Sequence, residues 1–295
     1  MKTLILSAIA TLSLTGATFA ADVTLRVHHF LSSESPMHTE VLMPWEKAIE
    51  EQSGGRIDVQ IYPSMQLGGR PPQLFDQARD GIVDISWTLL GYTPGRFPIA
   101  EVFELPFMSG TAAQTTAALQ EFQAKYLEDE LSSVKPLLLH APAGYKFHMR
   151  SDPITSIDDL RGKKIRAPSR AMTDALNALG GTAVGMPVPE VAQSLTTGVI
   201  DGAQIPWEVV GSLRIEEIAK AHSEIGSENG GMSTAVMALV MNRAKYDALP
   251  DDLKKIIDDN TGAALATLAG EAFDRVEAEE RQKFLDAGAQ INVIP

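Results

Sequence analysis

Residues 156–208 read SIDDLRGKKIRAPSRAMTDALNALGGTAVGMPVPEVAQSLTTGVIDGAQIPWE, and this stretch decides the fold. It sets a basic strand, a helix, a second strand and a second helix in series, followed by a glycine-containing turn that presents an aromatic residue and an acid. This order predicts a parallel α/β unit, and ligands of open α/β sheets usually lie beyond the carboxyl ends of the strands. Arg166, at the end of the basic strand, is therefore the strongest candidate for binding an anion.

Strands and helices alternate on both sides of this stretch, which predicts an α/β fold. Residues rich in glycine at 143–144 and 226–231 interrupt the pattern and mark two crossings between lobes. We expect two lobes with a cleft between them, hinge strands and a long C-terminal helix, because lobes joined in this way can close around a ligand. The predicted units are lobe I (21–143 plus 232–270), lobe II (144–231) and a C-terminal helical tail that packs across both lobes (271–295).

The first 20 residues have the features of a secretory signal peptide. Lys2 gives a positive start, residues 4–14 form an apolar core, and Thr18-Phe19-Ala20 is a small-residue cleavage site. The apolar run is shorter than the ~20 residues that a transmembrane helix needs. The sequence therefore predicts export to the periplasm of a mature protein that begins at Ala21 and is not itself inserted in the membrane.

Composition excludes several classes of function. The chain has 38 acidic and 25 basic residues, a formal net charge of −13 and no cysteine. A nucleic-acid partner would call for a basic stripe, so this charge argues against one. The absence of cysteine excludes thiol catalysis and cysteine-ligated metal. If the ligand is an anion, a local arginine or lysine in a shielded cleft must capture it, because salt screens the dispersed surface acids beyond ~10 Å.

Aromatic residues of lobe I are candidates for the wall of the cleft. Phe30 closes the first strand, Trp87 is expected to end the strand 83–87, and Tyr92 follows five residues later. Stacking on a flat ring contributes ~0.5 to 1.5 kcal/mol per pair beyond burial. Neighbouring residues on a strand point to opposite faces, so only one of His28 and His29 can face the cleft. We expect His29 to be a hydrogen-bonding wall residue.

No catalytic or cofactor motif is present in the sequence. The paired glycines fit neither the phosphate-binding loop nor the dinucleotide-binding pattern, and there is no zinc-binding H-E-x-x-H. A G-x-S-x-G nucleophile elbow is also missing. We therefore predict a protein that is not an enzyme, with no catalytic residues, no cofactor and no metal.

Two motifs carry a resemblance to a known family. Residues 159–168 fit D-L-x-G-x-K-x-R-x-P, and residues 187–202 fit P-x-x-E-x-x-x-x-L-x-x-G-x-x-D-G. Upstream, GGRIDVQIYPSMQLGG, DGIVDISW and FPIAEVFELPF occur in the family's order. In these five segments the chain resembles the solute receptors of tripartite ATP-independent periplasmic (TRAP) transporters, over essentially all of residues 21–295.

The resemblance implies a function and a set of binding residues. A receptor of this kind closes on a small organic carboxylate and delivers it to a TRAP membrane permease. Arg166 matches the family's carboxylate clamp, and Lys146 aligns with a second basic ligand position. Ile205 stands where sialic-acid and dicarboxylate receptors carry asparagine, and Trp207 and Glu208 follow it. These differences predict a less polar ligand, an aromatic monocarboxylate of the benzoate or hydroxybenzoate type.

Other interpretations of the sequence stay open. The same fold would also suit an aliphatic 2-oxo or hydroxy acid, or a betaine-like zwitterion whose cation stacks on Trp207 near Glu208. A different class is a ligand-sensing partner of a membrane sensor kinase. The acidic surface favours a monomer, although a dimer formed through the C-terminal helix is an alternative.

Overall fold

A computed structural model describes residues 21–226 and 230–295. The predicted signal peptide and the middle of the predicted return crossing lie outside these residues. The strands are β1 (Val23–His29), β2 (Ile57–Tyr62), β3 (Ile85–Leu89), β4 (Val134–His140), β5 (Lys146–Met149), β6 (Lys164–Ala167), β7 (Thr182–Gly185), β8 (Gly202–Ile205), β9 (Ala221–Ile225), β10 (Met237–Asn242) and β11 (Ile291–Ile294). The α-helices are α1 (Met43–Gln52), α2 (Leu74–Arg79), α3 (Ala112–Tyr126), α4 (Glu128–Leu131), α5 (Arg170–Ala178), α6 (Val191–Thr197), α7 (Arg243–Asp247), α8 (Asp251–Asp259) and α9 (Ala263–Asp286).

The strands form two sheets, each the centre of one lobe. The sheet of lobe I has the order β2-β1-β3-β10-β4, and the sheet of lobe II has the order β11-β9-β5-β8-β6-β7. The two-lobed α/β fold is therefore confirmed. The predicted parallel unit is also present, because β6 pairs in parallel with both β7 and β8.

Both sheets are mixed, however, and the crossings explain why. The chain leaves lobe I after β4 and returns to it as β10, so these two strands run in opposite directions and pair antiparallel. β10 also pairs antiparallel with β3. In lobe II, β5 enters and β9 leaves, and they are antiparallel neighbours. The strands that connect the lobes thus lie next to each other in each sheet.

The structure differs from the sequence predictions in the position of Trp87. The strand begins at Ile85 and continues to Leu89, so Trp87 lies at its centre and not at its end. The side chain of Asp84, just before the strand, accepts a hydrogen bond from the backbone N–H of Arg26 at 2.9 Å. At Asp84 this side-chain bond takes the place of pairing between the strand backbones. The strand therefore begins at Ile85, two residues later than predicted.

The C-terminal region is also less uniform than the predicted helical tail. α8 and α9 are separate helices, divided where the N–H of Gly262 donates to the carbonyl oxygen of Leu137 at 2.8 Å. Beyond α9, residues Ile291–Ile294 form a strand that pairs in parallel with β9 at the edge of the second sheet. None of the helices that the structure describes combines the length and apolarity needed to cross a bilayer.

Helix α9 has 24 residues and packs closely against α3 of lobe I. The carboxylate of Asp274 accepts hydrogen bonds from the backbone N–H groups of Ala112 and Ala113, at 2.7 and 3.0 Å. These bonds satisfy two of the free donors at the start of α3 and place a negative charge at the positive end of its dipole. Gly270 allows the close approach, because a Cβ atom there would lie 2.6 Å from the Cα atom of Ala113.

We predict that Gly270→Ala destabilises the protein, although alanine is intrinsically the better helix former by roughly 1 kcal/mol. The added methyl group meets backbone, which cannot rotate away, so overpacking should give a net loss of about 1–2 kcal/mol. Chemical denaturation measures the change in the free energy of unfolding. Gly185→Ala is the matched control, because no atom lies within 4 Å of its added Cβ. Equal stabilities of the two variants would contradict this account of the α3–α9 contact.

Candidate ligand-binding site

A cavity lies between the two lobes. Both lobes and α9 contribute to its wall. The lining residues are Phe30, Leu31, Trp87, Leu89, Tyr92, Pro142, Tyr145, Arg166, Val188, Pro206, Glu208, Val209, Met237 and Phe273. Most of them are apolar or aromatic, so the few polar groups among them determine what the cavity can bind.

Arg166 is the cation in this wall. Its residue is 1% exposed. The guanidinium is held by two backbone carbonyl oxygens: Nε donates to that of Met186 at 3.0 Å, and Nη1 donates to that of Gln204 at 2.9 Å. Nη2 has no hydrogen-bond partner among the described residues. Since a buried charge is costly unless it is paired, this arrangement favours an anion in the cavity.

Three of the predicted aromatic residues line the same cavity. The ring of Phe30 stacks on that of Trp87, with centroids 4.9 Å apart and an angle of 9° between the planes. Tyr92 meets Phe30 edge-on at 5.5 Å. The hydroxyl oxygen of Tyr92 accepts a hydrogen bond from the backbone N–H of Val188 in lobe II, at 2.9 Å. Burial raises the pKa of Tyr92, so the hydroxyl is neutral and the wall carries no negative charge there.

Lys146 lies outside the set of lining residues, next to the cavity. Its Nζ forms an ion pair with the carboxylate of Glu277 on α9 and donates to the carbonyl oxygen of Gly144 at 2.6 Å. The same carboxylate accepts a hydrogen bond from the backbone N–H of Glu208 at 3.0 Å, and Glu208 does line the cavity. The structure therefore connects Lys146 to the cavity through two acidic residues.

Two further predicted residues also lie behind the cavity wall. Trp207 is fully buried, and its Nε1 donates to the carboxylate of Glu224 at 2.7 Å. His29 shares a hydrogen bond between its Nε2 and Nδ1 of His38 at 3.0 Å, and its ring meets Trp87 edge-on. Burial, together with the nearby His38, lowers the pKa of His29 to about 3, so this ring is neutral. Trp207 and His29 thus support residues of the wall.

The sequence analysis did not identify two large aromatic residues that line the cavity, Tyr145 and Phe273. Tyr145 is the first residue after the crossing into lobe II, and its N–H donates to the carbonyl oxygen of Ser233 at 2.9 Å. An aromatic residue that follows the hinge glycine was the signal that could have identified it. Phe273 reaches the cavity from α9. Its spacing in the helix is that of an ordinary core residue, so no sequence pattern could have identified it.

Contacts between the lobes close one side of the cavity. The short turn Ala100–Glu104 of lobe I faces the start of α5 in lobe II, where Glu101 forms an ion pair with Arg170. Glu104 accepts a hydrogen bond from the N–H of Val236 at 3.1 Å and contacts the Ser169 side chain. A Cβ atom on Gly91 would lie 2.5 Å from that of Ser169, so glycine is needed for this approach.

Three comparisons place this geometry among known proteins. Residues 27–295 match the family model described as bacterial extracellular solute-binding protein, family 7. A marine metagenome TRAP solute-binding protein specific for aromatic acid ligands, solved with 3-hydroxybenzoate, is 45% identical with a TM-score of 0.90, and the match covers 94% of this chain and 86% of that one. A TRAP solute-binding protein from Rhodoferax ferrireducens, solved with benzoate, is 43% identical with a TM-score of 0.89, over 92% and 84%. The C4-dicarboxylate-binding periplasmic protein DctP of Rhodobacter capsulatus is 26% identical over 94% and 80%.

Glu104 should make stability depend on pH, because burial raises its pKa to about 7. In the unfolded chain the carboxyl ionises near pH 4.5, while the folded protein still binds the proton. Stability is therefore lost as pH rises from about 4.5 to about 7, by about 3 kcal/mol in all. Glu104→Gln removes this titration and keeps one acceptor and one donor in place.

We expect Glu104→Gln to gain stability relative to wild type as pH rises through this window. Urea denaturation of both proteins without ligand, at half-unit steps from pH 4.5 to 8, measures the difference. Parallel curves across the window would mean that the Glu104 carboxyl is not protonated in the folded protein.

Proposed function

Because this chain belongs to the bacterial extracellular solute-binding protein family 7, we propose that it is the receptor of a TRAP transporter that binds an aromatic monocarboxylate between its lobes. One observation carries the proposal. The free Nη2 of a buried, immobilised arginine opens on a cavity whose wall is otherwise mainly aromatic and apolar. A ligand that matches both features has one carboxylate and one flat apolar body.

The carboxylate of the ligand pairs with Arg166 in this proposal. The guanidinium is already oriented by Met186 and Gln204. Little side-chain freedom is therefore lost on binding, which favours affinity. A second carboxylate would enter a wall that has no second unpaired cation among the described lining residues, so the cavity favours monocarboxylates over dicarboxylates.

The ring of the ligand contacts Phe30, Trp87, Tyr92, Tyr145 and Phe273. Edge and face contacts between aromatic rings stabilise the complex beyond simple burial. The two solved relatives at 45% and 43% identity were seen with 3-hydroxybenzoate and benzoate, which supports the same class of ligand here. Lys146 contributes through Glu277 in this proposal, while Trp207 and His29 hold the wall in shape.

The place and partners follow from the family. The receptor acts in the periplasm and delivers its ligand to membrane permease subunits. We propose that residues 1–20 are removed on export and that the mature protein is a monomer. We propose that lobe I (21–143 plus 232–270) and lobe II (144–231) move relative to each other about the two crossings between them, and that residues 271–295 bridge the lobes.

A thermal-shift screen of residues 21–295 tests this function. The panel contains benzoate, hydroxybenzoates, phenylacetates, aliphatic 2-oxo acids, C4-dicarboxylates, hexuronates and betaines. A ligand at a hundred times its dissociation constant adds ~2.7 kcal/mol to the free energy of unfolding and raises the melting temperature. We expect shifts with aromatic monocarboxylates. Shifts confined to dicarboxylates, hexuronates or betaines would overturn the ligand class and leave the family assignment intact.

Arg166→Ala should abolish binding of the aromatic acid that gives the largest shift. Losing one partner of a buried charge pair costs about 3–5 kcal/mol, so affinity should fall by at least a hundredfold. Isothermal titration calorimetry measures it. Arg161→Ala is the matched control, because Arg161 is exposed and its one ion pair within the described part of the chain is with Asp158, three residues away. Near-wild-type affinity in Arg166→Ala would exclude the clamp.

A further inference from the structure

The cavity contains a second polar atom without a partner, at a different residue from Arg166. Glu208 follows β8 in the short turn Trp207–Val209, is 3% exposed and lines the cavity. Its Oε2 is buried and has no hydrogen-bond partner among the described residues. An unpaired acceptor in an apolar, aromatic wall costs free energy, and a ligand that brings a donor removes that cost.

No described residue around Glu208 supplies the missing partner. The nearest cation, Lys146, forms its ion pair with Glu277 and also donates to the carbonyl oxygen of Gly144. The carboxylate of Glu277 in turn accepts the backbone N–H of Glu208. The positive charge of Lys146 is thus balanced by the carboxylate of Glu277 and not by that of Glu208.

The protonation state of Glu208 follows from this arrangement. Burial, and next the neighbouring Glu277, raise the pKa of Glu208 well above its usual range. The neutral form of the side chain is therefore favoured more strongly than in a solvent-exposed glutamate. The Glu208 carboxyl also interacts with that of Glu277, and its Oε2 receives no hydrogen bond from a described residue.

We propose that Oε2 of Glu208 accepts a hydrogen bond from a hydroxyl group on the ring of the bound ligand, so that the receptor selects hydroxylated aromatic acids over acids with a bare ring. This inference rests on the proposed function, because it adds a second polar contact to the ligand held by Arg166. One ligand then satisfies both unpaired atoms of the cavity: its carboxylate takes Nη2 of Arg166, and its hydroxyl takes Oε2 of Glu208.

A hydroxyl suits this position better than an ammonium group. Glu277 already pairs with Lys146, and the ligand carboxylate neutralises Arg166. A cationic group would be balanced only by an ionised Glu208, and burial together with Glu277 disfavours that ionised form. A site built to accept a hydroxyl also rejects the analogue that lacks one, because the buried acceptor is then left unpaired.

Calorimetry with matched ligands tests the inference on the wild-type protein at pH 7. Each of 2-, 3- and 4-hydroxybenzoate is compared with the fluorobenzoate of the same pattern, which is similar in size but has no donor. We expect at least one hydroxybenzoate to bind about tenfold or more tightly than its fluoro counterpart. Equal affinities for all three pairs would overturn the inference while leaving the proposed function in place. If none of the six acids binds, the proposed function itself fails.

Two substitutions assign the preference to Glu208. Glu208→Met removes the acceptor and keeps similar bulk, and the preference for the best hydroxybenzoate should fall to within about threefold. Glu208→Gln keeps an oxygen acceptor and should retain most of the preference for the hydroxybenzoate. Glu208→Met should lose more affinity for the hydroxybenzoate than for the matched fluorobenzoate, which separates lost recognition of the hydroxyl from general damage to the site.

An unchanged preference in Glu208→Met would overturn the assignment. 3-(Aminomethyl)benzoate is the competing ligand. Tighter binding of this zwitterion than of 3-hydroxybenzoate to the wild type would also overturn the inference. If Glu208→Met does not fold, the wild-type comparison of the three ligand pairs still decides.

Discussion

The buried guanidinium of Arg166 is the constraint on which the binding site depends. The protein holds a charge away from water, fixes its direction with the carbonyl oxygens of Met186 and Gln204, and leaves one nitrogen unpaired. The burial of the charge and the unpaired nitrogen lower the stability of the empty, closed arrangement, while the two hydrogen bonds fix the direction of the guanidinium. Each of these features also favours the complex, because an incoming carboxylate restores what the empty cavity lacks. Affinity and lobe closure are therefore coupled through one side chain.

The other polar residues at the cavity are tied to helix α9. Glu277 on α9 forms an ion pair with Lys146 and accepts a hydrogen bond from the backbone N–H of Glu208. Helix α9 therefore holds both Lys146 and Glu208 in position. The same helix supplies Phe273 to the wall and Asp274 to the start of α3. A single helix thus both stabilises lobe I, through its contact with α3, and contributes side chains to the binding cavity.

The sequence predicted the parts of the site that depend on local order, and it missed the parts that depend on distant packing. Arg166 could be found because it ends a strand of a parallel unit, where ligands bind. The pairing of Lys146 with Glu277 joins residues 131 positions apart, and no local pattern indicates it. Trp207 was predicted to face the ligand, whereas its indole lies behind the wall on Glu224, because the turn after Pro206 directs Glu208 inward. For the fold, the alternation of elements predicted two lobes, but mixed strand directions and the terminal strand β11 follow from tertiary pairing.

Because β11 pairs with β9, the first and last strands of the chain belong to different sheets. Val23 begins the first strand of one sheet, and Ile294 ends the last strand of the other. The two ends of the folded chain are thus attached to the two bodies that move relative to each other when the lobes close. Fluorescent proteins fused at these ends would change their separation with occupancy, so the architecture itself provides an optical sensor for the ligand in solution.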